Sequence, residues 1–474
     1  MRVRDRIYGV ETEFGAMIQT DGGKFLPATA VDPRHFFWFF DNARDGMYLG
    51  YAKGRLWHTN GSMSYMDFNE HPEHATAECR SIRNLVAATK AGELMMVDIF
   101  DASYAPMGKD RFILFKNNLA FDDAGDVDSS FGCHENYYRY SDDTVRGETF
   151  ENLITPFFVT RTIFDGVGWW NRYGKFILSQ RALVMKCPDA SGMATSNRSF
   201  INTKGSVDTG LGYRLHVIGG DSNILETAMY LKVGVTSLVM ALIDNGVAPD
   251  LKCSYALDAL YAVAINGNPH DRCVVTTDGE RLSALEVQYR YLEQARKHIP
   301  GAEFDSEATR EESLHILALW ERTLEAIDTN DIAWMIGRID YVTKKYLFER
   351  QCARMLDASQ ETINEARKNF DLYYHNVTDR TLQERMNVQW RSRRIISDEE
   401  ISYLKRNPPD NTRARLRGAF VQSARKNKNI SEVKIEWNYL SYKRKYEFRR
   451  EIYLQDPMGD HDDQFPAFFR DMGD

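Results

Sequence analysis

Gly9-Val10-Glu11-Thr12-Glu13-Phe14-Gly15 places two carboxylates one residue apart in a β-prone run near the start of the chain. Side chains alternate along a strand, so Glu11 and Glu13 fall on the same face. Two neighbouring carboxylates repel and raise each other's pKa unless cations lie between them. The natural partner of such a pair is a hard divalent ion such as magnesium, which takes oxygen ligands.

The chain has 474 residues, 43% of them hydrophobic, enough for one large domain with an appendage or for two to three average domains. A formal charge of -8 argues against generic nucleic-acid binding, which favours a basic balance. The six cysteines lie far apart with no CxxC pair, which excludes the common zinc and redox patterns and predicts reduced, buried thiols. Met1-Arg2-Val3-Arg4-Asp5-Arg6 has no apolar signal-peptide core, and no later run reads as long and apolar enough to span a bilayer, so a cytoplasmic location is expected.

Ile7 to about Ile18 reads as a strand, followed by a turn at Asp21-Gly22-Gly23 and an aromatic-rich insertion around Phe36 to Phe40. Ser64-Tyr65-Met66-Asp67 reads as a second strand, with Tyr65 and Asp67 on one face. Helical spacing of apolar residues predicts a helix over Ser81 to Tyr104. Phe112 to Asn118 is expected to pair with Gly132 to Tyr138 as an antiparallel unit across the Asp122 to Ser130 loop. Arg214 to Ile218 is a further strand, and a long helix starting near Leu225 should stop at Asn245-Gly246. Packing helices fill Ser283 to Leu347. The tail from about Arg391 is rich in Arg and Lys, so a catalytic domain of residues 1–393 and a small C-terminal domain of residues 394–474 are expected, the last stretch from Asp456 being acidic and loop-like.

Glu11, Glu13, Tyr65, Asp67, Glu73 and Glu78 form the candidate carboxylate site, five acids and a phenol suited to two or more magnesium ions. Such ions usually complete their coordination with waters and substrate phosphates, which makes ATP the obvious donor. Lys116, Arg181, Arg198 and Arg214, with His134 and His216, are candidates for steadying a transferring phosphoryl group. A Walker A loop, a kinase catalytic loop and a GxSxG elbow are all lacking, which disfavours P-loop, kinase and serine-hydrolase chemistry.

The ordered motifs GVETEFG (9–15), NGSMSYMD (60–67), HPEHATAEC (71–79), FKNN (115–118), FGCHENY (131–137), SQR (179–181), INT (201–203), RLHVIGGDSN (214–223), LKVGV (231–235) and TRARLRG (412–418) resemble the Pup ligase and depupylase family, that of proteasome accessory factor A and Dop. The family belongs to the carboxylate-amine ligases related to glutamine synthetase. The resemblance implies an α+β fold, with a curved antiparallel sheet, flanked by helices, whose concave face holds ATP and magnesium, plus a small C-terminal domain. It also implies a chemistry: ATP phosphorylates the side-chain carboxylate of the C-terminal glutamate of a small, disordered Pup-like modifier, and a lysine of a target protein attacks the γ-glutamyl phosphate. By motif position Glu11, Glu13, Tyr65, Glu73 and Glu78 look like the metal shell and Asp67 like the base that deprotonates the lysine. Lys116, Asn118, Arg198, Arg214, His216 and Trp437 look like the nucleotide and phosphate contacts.

The short Gly15 to Thr59 connection, Ser62, the run Ala75 to Cys79, and Cys133 before His134-Glu135-Asn136 resemble the ligase spelling rather than the depupylase one. A depupylase or deamidase using the same site, and a ligase for a small carboxylate and amine, stay open as alternatives. Two departures stand out: Lys204 to Asp208 follows Thr203 where the family carries an Arg and an acidic, His-containing stretch, and Met63 replaces a basic residue. Lysine is a poorer planar clamp than arginine for phosphate or carboxylate.

Overall fold

The fold is taken from a computed structural model that describes residues 1–19, 25–27, 55–67, 71–104, 112–121, 127–140, 147–190, 198–202, 212–353, 358–427, 429–460, 463 and 465–472. The Asp21-Gly22-Gly23 turn, the Phe36 to Phe40 insertion and the Lys204 to Asp208 departure lie outside the described residues. The architecture is α+β. An eight-stranded sheet runs in the order Cys187–Ala190, Ser199–Asn202, Gly212–Val217, Cys133–Tyr140, Tyr8–Glu13, Pro72–Ala75, Met63–Met66, Arg55–Trp57. Its neighbours are antiparallel except for the edge pair Cys187–Ala190 and Ser199–Asn202.

Period-two alternation divides this sheet into two chemically different faces. Val10, Cys133, Tyr137, Leu215 and Val217 point into the main core, which they share with the helices Ile82–Tyr104, Gly147–Thr160 and Glu226–Asp244. Glu135 faces the same way and is held by Arg161 in a fully buried ion pair with Thr236 beside it. The residues one step along each strand carry the carboxylates and imidazoles to the opposite, polar face. The register makes this specific: Glu11 lies opposite His134, Glu13 opposite Glu73, Tyr65 opposite Glu73, and Asn136 opposite His216.

The predicted helices over 81–104 and 225–244 form as Ile82–Tyr104 and Glu226–Asp244, the second stopping at Asn245 and at Gly246 with φ +67. The Glu226–Asp244 helix is in fact long and apolar enough to cross a membrane, contrary to the reading of the sequence, and 94% of that stretch is buried inside the protein. Its apolarity is accounted for by neighbouring helices on all sides. The Ile7 to Ile18 run breaks at Phe14 into two strands, Tyr8–Glu13 in the large sheet and Gly15–Gln19 in a separate three-stranded sheet. Phe112–Phe115 pairs with that second strand and not with Gly132 to Tyr138, whose partners are Tyr8–Glu13 and Gly212–Val217. The expected hairpin is replaced because both segments find long-range partners. The chain end is not wholly loop-like either, since Phe465–Met472 is a helix whose Phe468 and Met472 enter a core. Cys79 and Cys133 are buried thiols, whereas Cys187, Cys253, Cys273 and Cys352 are half-buried; all six are free.

A second hydrophobic cluster joins Leu416, Phe420, Val421, Ile435, Leu440, Tyr442, Ile452 and Phe468 with Trp57 and Met63 from the edge of the large sheet. Ile396, Ile401 and Leu404 pack instead into the main core, so the stretch just after residue 394 lies with the large body. The junction with the cluster is built on backbone approach. Gly61 has φ +78, and a Cβ there would meet the Ala414 carbonyl oxygen at 2.8 Å; a Cβ on Gly418 would meet the Thr59 carbonyl oxygen at 2.2 Å. Through this gap Arg417 donates from Nε and Nη2 to the Gly61 carbonyl at 3.0 and 2.8 Å. Arg417 also grips both oxygens of Glu78, and Arg413 donates to Glu78 Oε1 at 2.8 Å. Burial opposes the charge on Glu78, yet Arg417 and Arg413 hold its carboxyl down to about 2.

Glu78→Ala strands two buried guanidinium groups, and removing one partner of such a set costs about 3–5 kcal/mol; urea unfolding should show the loss. Because Glu78 is depressed in the folded state, its stabilisation is complete above the ordinary carboxylate pKa and lost as pH falls towards about 2, so the wild-type advantage over the variant should shrink in acid.

Candidate active site

Five strands converge to build the polar face. Glu11 and Glu13 come from Tyr8–Glu13, Glu73 from Pro72–Ala75, Tyr65 from Met63–Met66, and His134 with Asn136 from Cys133–Tyr140. Arg214 and His216 approach from Gly212–Val217. Three overlapping groups have ligand atoms within 4.8 Å of one another: Glu11, His134 and His216; Glu13, Glu73 and His134; Glu13, Asp67 and His71.

The electrostatics of this face are uneven. Glu11 is contacted by His134 Nδ1 at 3.2 Å, His216 Nε2 at 3.6 Å, Arg214 at 3.5 Å and the Asn136 amide at 3.3 Å. These partners overcome the burial penalty and hold its pKa well below the carboxylate range. Glu13 accepts from the Gly132 backbone N–H at 2.7 Å and from His71 Nδ1 at 3.2 Å. Against burial, His71, His134 and Arg181 bring it to about 2. Glu73 is the opposite case. Burial and the charges of Glu11 and Glu13 push its pKa well above the ordinary value, and its Oε1 is buried without a hydrogen-bond partner. The Tyr65 phenol beside it is raised by burial and by the same carboxylates. Burial, against the pull of Glu11, leaves His216 near 4 and therefore neutral at physiological pH.

Asp67 sits just past the end of its strand on the rim of this cluster, its side chain 12% exposed, with Oδ1 accepting the His71 backbone N–H at 2.7 Å. The outer end of the polar face opens into a cavity lined by Glu11, Thr76, Glu78, Arg214, Arg413 and Trp437. Trp437 packs against the second hydrophobic cluster. It packs edge-on against Trp57 at 4.8 Å, and the Arg417 guanidinium lies 4.7 Å from its ring centre.

Thus the structure brings together Glu11, Glu13, Tyr65, Asp67, Glu73, Arg214 and His216, with Trp437 on the cavity wall. It does not bring Glu78 into the carboxylate cluster, because both of its oxygens are taken by Arg413 and Arg417. Nor does it bring Lys116 or Asn118 to the polar face. Lys116 is fully buried and donates to Glu93 at 2.7 Å and to the Asn223 carbonyl at 2.8 Å. The Asn118 amide brackets Phe131 and Ser222, which fixes the loop beneath the sheet. Arg181 is likewise buried, donating to the Ile218 carbonyl at 2.8 Å, but its charge still acts on Glu13. Half-buried Arg198 lies near enough to Arg181 to oppose its charge.

Two residues without an assigned role in the sequence reading, His71 and Arg413, are part of this arrangement. His71 was detectable, since it stands two residues before Glu73 in the sequence. Arg413 was not, because only packing of the second hydrophobic cluster on the sheet edge brings it to the cavity.

A family model described as Pup-ligase protein matches residues 6–441. The Pup--protein ligase of Acidimicrobium ferrooxidans is 32% identical over 478 residues, covering 98% of each chain. The structure of the complex between the prokaryotic ubiquitin-like protein Pup and its ligase PafA superposes with a TM-score of 0.82 at 26% identity, over 99% of this chain and 92% of that one. The structure of PafA in complex with ADP gives 0.75 at 27% identity, over 89% and 90%. With a family model spanning most of the sequence and relatives aligned nearly end to end, the chain belongs to the Pup ligase family.

Proposed function

We propose that this protein is an ATP-dependent ligase joining the C-terminal glutamate side chain of a small Pup-like modifier to lysines of target proteins. The observation that carries this reading is the juxtaposition of a cation-deficient carboxylate cluster, Glu11, Glu13 and Glu73, with a cavity that has Trp437 and Arg413 on its wall. The names of the relatives, and the Pup and ADP complexes of PafA, support the same substrates.

Glu11, Glu13 and Glu73, with the Tyr65 phenol, suit a hard divalent cation: the unpartnered Glu73 oxygen and its raised pKa show a cluster short of positive charge. Magnesium, when bound there, neutralises these carboxylates and the phosphate oxygens of the nucleotide. In the first step the modifier's glutamate carboxylate attacks the γ-phosphorus of ATP, and the bond to the ADP oxygen breaks, leaving a γ-glutamyl phosphate. Arg214, Arg198 and neutral His216 supply charge and hydrogen bonds to the transferring group. In the second step Asp67 takes a proton from the lysine ammonium, and the freed amine attacks the acyl carbon. The carbon–oxygen bond to phosphate then breaks, giving an isopeptide bond and inorganic phosphate. An ammonium has no lone pair for attack, so the carboxylate is required for the second step and not the first.

Intact-protein mass spectrometry on enzyme, ATP, magnesium, a lysine-bearing acceptor and the modifier tests the function. The acceptor should gain the modifier mass less one water, with the Glu-ended modifier and only with ATP; deamidation of a Gln-ended modifier without ligation would move the assignment to a hydrolase. Asp67→Asn should slow transfer to lysine by about 100-fold or more while nucleotide affinity is kept. Glu11→Ala should weaken magnesium–nucleotide binding by at least about tenfold, or 1.4 kcal/mol, in titration calorimetry. Because Glu73 must lose a proton that its raised pKa favours keeping, magnesium affinity should rise with pH and binding should release protons, measurable in buffers of different ionisation enthalpy.

A further inference from the structure

A further cavity opens on the helical side of the sheet, between the helices Ile82–Tyr104 and Thr381–Gln389 and the start of Glu226–Asp244. It shares no wall residue with the cavity at the polar face. Lys90 and Glu93 come from the first helix, and helical spacing puts Arg380, Gln383 and Asn387 along one side of the second.

The charges on this wall do not balance. Lys90, only 7% exposed, lies 3.0 and 3.3 Å from the two oxygens of Glu93, and Lys116 takes the same carboxylate at 2.7 Å. One acid thus serves two buried ammonium groups. Burial opposes the charge on Glu93, yet Lys116 and Lys90, with Arg380 contributing, bring it to about 2. Burial depresses the Lys90 ammonium, and Lys116 and Arg380 add to this against the pull of Glu93. Glu226, the other acid on the wall, has no capacity left: Oε1 accepts from Arg394 Nε and Nη2 at 3.0 and 2.9 Å, and Oε2 from the Ile395 and Ile396 backbone N–H groups at 2.9 and 3.2 Å. Arg393 donates to the Ile336 and Ala333 carbonyls, which bring no negative charge. The half-buried Arg380 guanidinium makes no hydrogen bond or ion pair with any described residue.

Gln383 narrows the chemistry of the anion that would fill this space. It is 8% exposed, and its amide Nε2 donates to the Tyr374 and Asn376 carbonyls at 3.2 and 2.9 Å, which leaves Oε1 buried without a partner. A buried acceptor needs a donor. Cations with an unmet acceptor beside them call for an oxyanion that keeps a proton. Inorganic phosphate does so at neutral pH, whereas sulfate and simple carboxylates do not.

We infer that this cavity is a binding site for inorganic phosphate, with Arg380 and Lys90 on the charged oxygens and Gln383 Oε1 accepting from the remaining O–H. The site stands apart from the carboxylate cluster and does not depend on the ligation chemistry.

Titration calorimetry on the full-length protein without nucleotide tests it, comparing inorganic phosphate with sulfate in wild type, Arg380→Gln, Gln383→Met and Arg214→Ala, the last removing a cation of the polar face. Wild type should bind phosphate about tenfold or more tightly than sulfate, because sulfate leaves Gln383 Oε1 unmet. Arg380→Gln should weaken phosphate binding by about tenfold or more, and Arg214→Ala should leave it within about threefold. Gln383→Met, with its fold checked by circular dichroism, should remove the preference for phosphate; where that variant does not fold, the wild-type comparison of the two anions decides the same point. Absence of phosphate binding in wild type, or phosphate binding that Arg380→Gln leaves intact, would overturn the site. Equal affinity of wild type for phosphate and sulfate would overturn its assignment to phosphate.

Discussion

Glu11, Glu13 and Glu73 stand on adjacent strands of one sheet, where their mutual repulsion is felt in a mostly buried setting. Repulsion between such groups is stronger inside a protein than in water, so each carboxylate needs its own compensation. The surroundings provide it unequally. Glu11 has His134, His216 and Arg214; Glu13 has His71, the Gly132 N–H and the nearby charge of Arg181. Glu73, with a phenol for its neighbour and one oxygen unpartnered, carries the deficit. The deficit therefore falls on the acid whose burial and neighbouring carboxylates most oppose its ionisation.

Such a face is tenable only because the other side of the sheet is held rigidly. The helix layer supplies apolar packing to Val10, Cys133, Leu215 and Val217, and the charges that alternation sends that way from Cys133–Tyr140 are paired, Glu135 with Arg161 and Arg139 with Asp244. Asp221 plays a related part beneath the site. It accepts from Ser179 and from the backbone N–H groups of Val167, Gln180 and Arg181, so the loop carrying Arg181 is locked before any ligand arrives. Preorganisation of this kind lets fixed dipoles act without reorganisation during the reaction.

The segment that carries Arg413, Arg417 and Trp437 turns the edge of a carboxylate-bearing sheet into a cavity. Its docking relies on Gly61 and Gly418, where two backbones approach too closely for any side chain, and on Arg413 and Arg417 closing over Glu78. The NGS and TRARLRG motifs therefore have a structural meaning in addition to whatever they contribute to chemistry: they are the two halves of one joint. Trp437 reaches the cavity through the same joint, since its carbonyl accepts from Arg417 at 2.8 Å.

Strand parity made much of the site readable in advance. Glu11 with Glu13, and Arg214 with His216, each sit two residues apart, and the pleat alone sends each pair to one face. Amphipathic and apolar runs likewise marked the Ile82–Tyr104 and Glu226–Asp244 helices. Pairing between distant strands was not readable. Phe112–Phe115 and Cys133–Tyr140 look like hairpin partners by proximity, yet each pairs with one half of the Ile7 to Ile18 run, which had looked like a single strand. Local sequence therefore determined which residue types share a face and where the long helices run, because those depend on backbone periods of two and 3.6. Only the tertiary structure decided that Glu78 serves the domain joint, that Lys116 and Asn118 brace the core, and that His71 meets Asp67. Those outcomes depend on which charges are buried beside which, and no spacing along the chain records that.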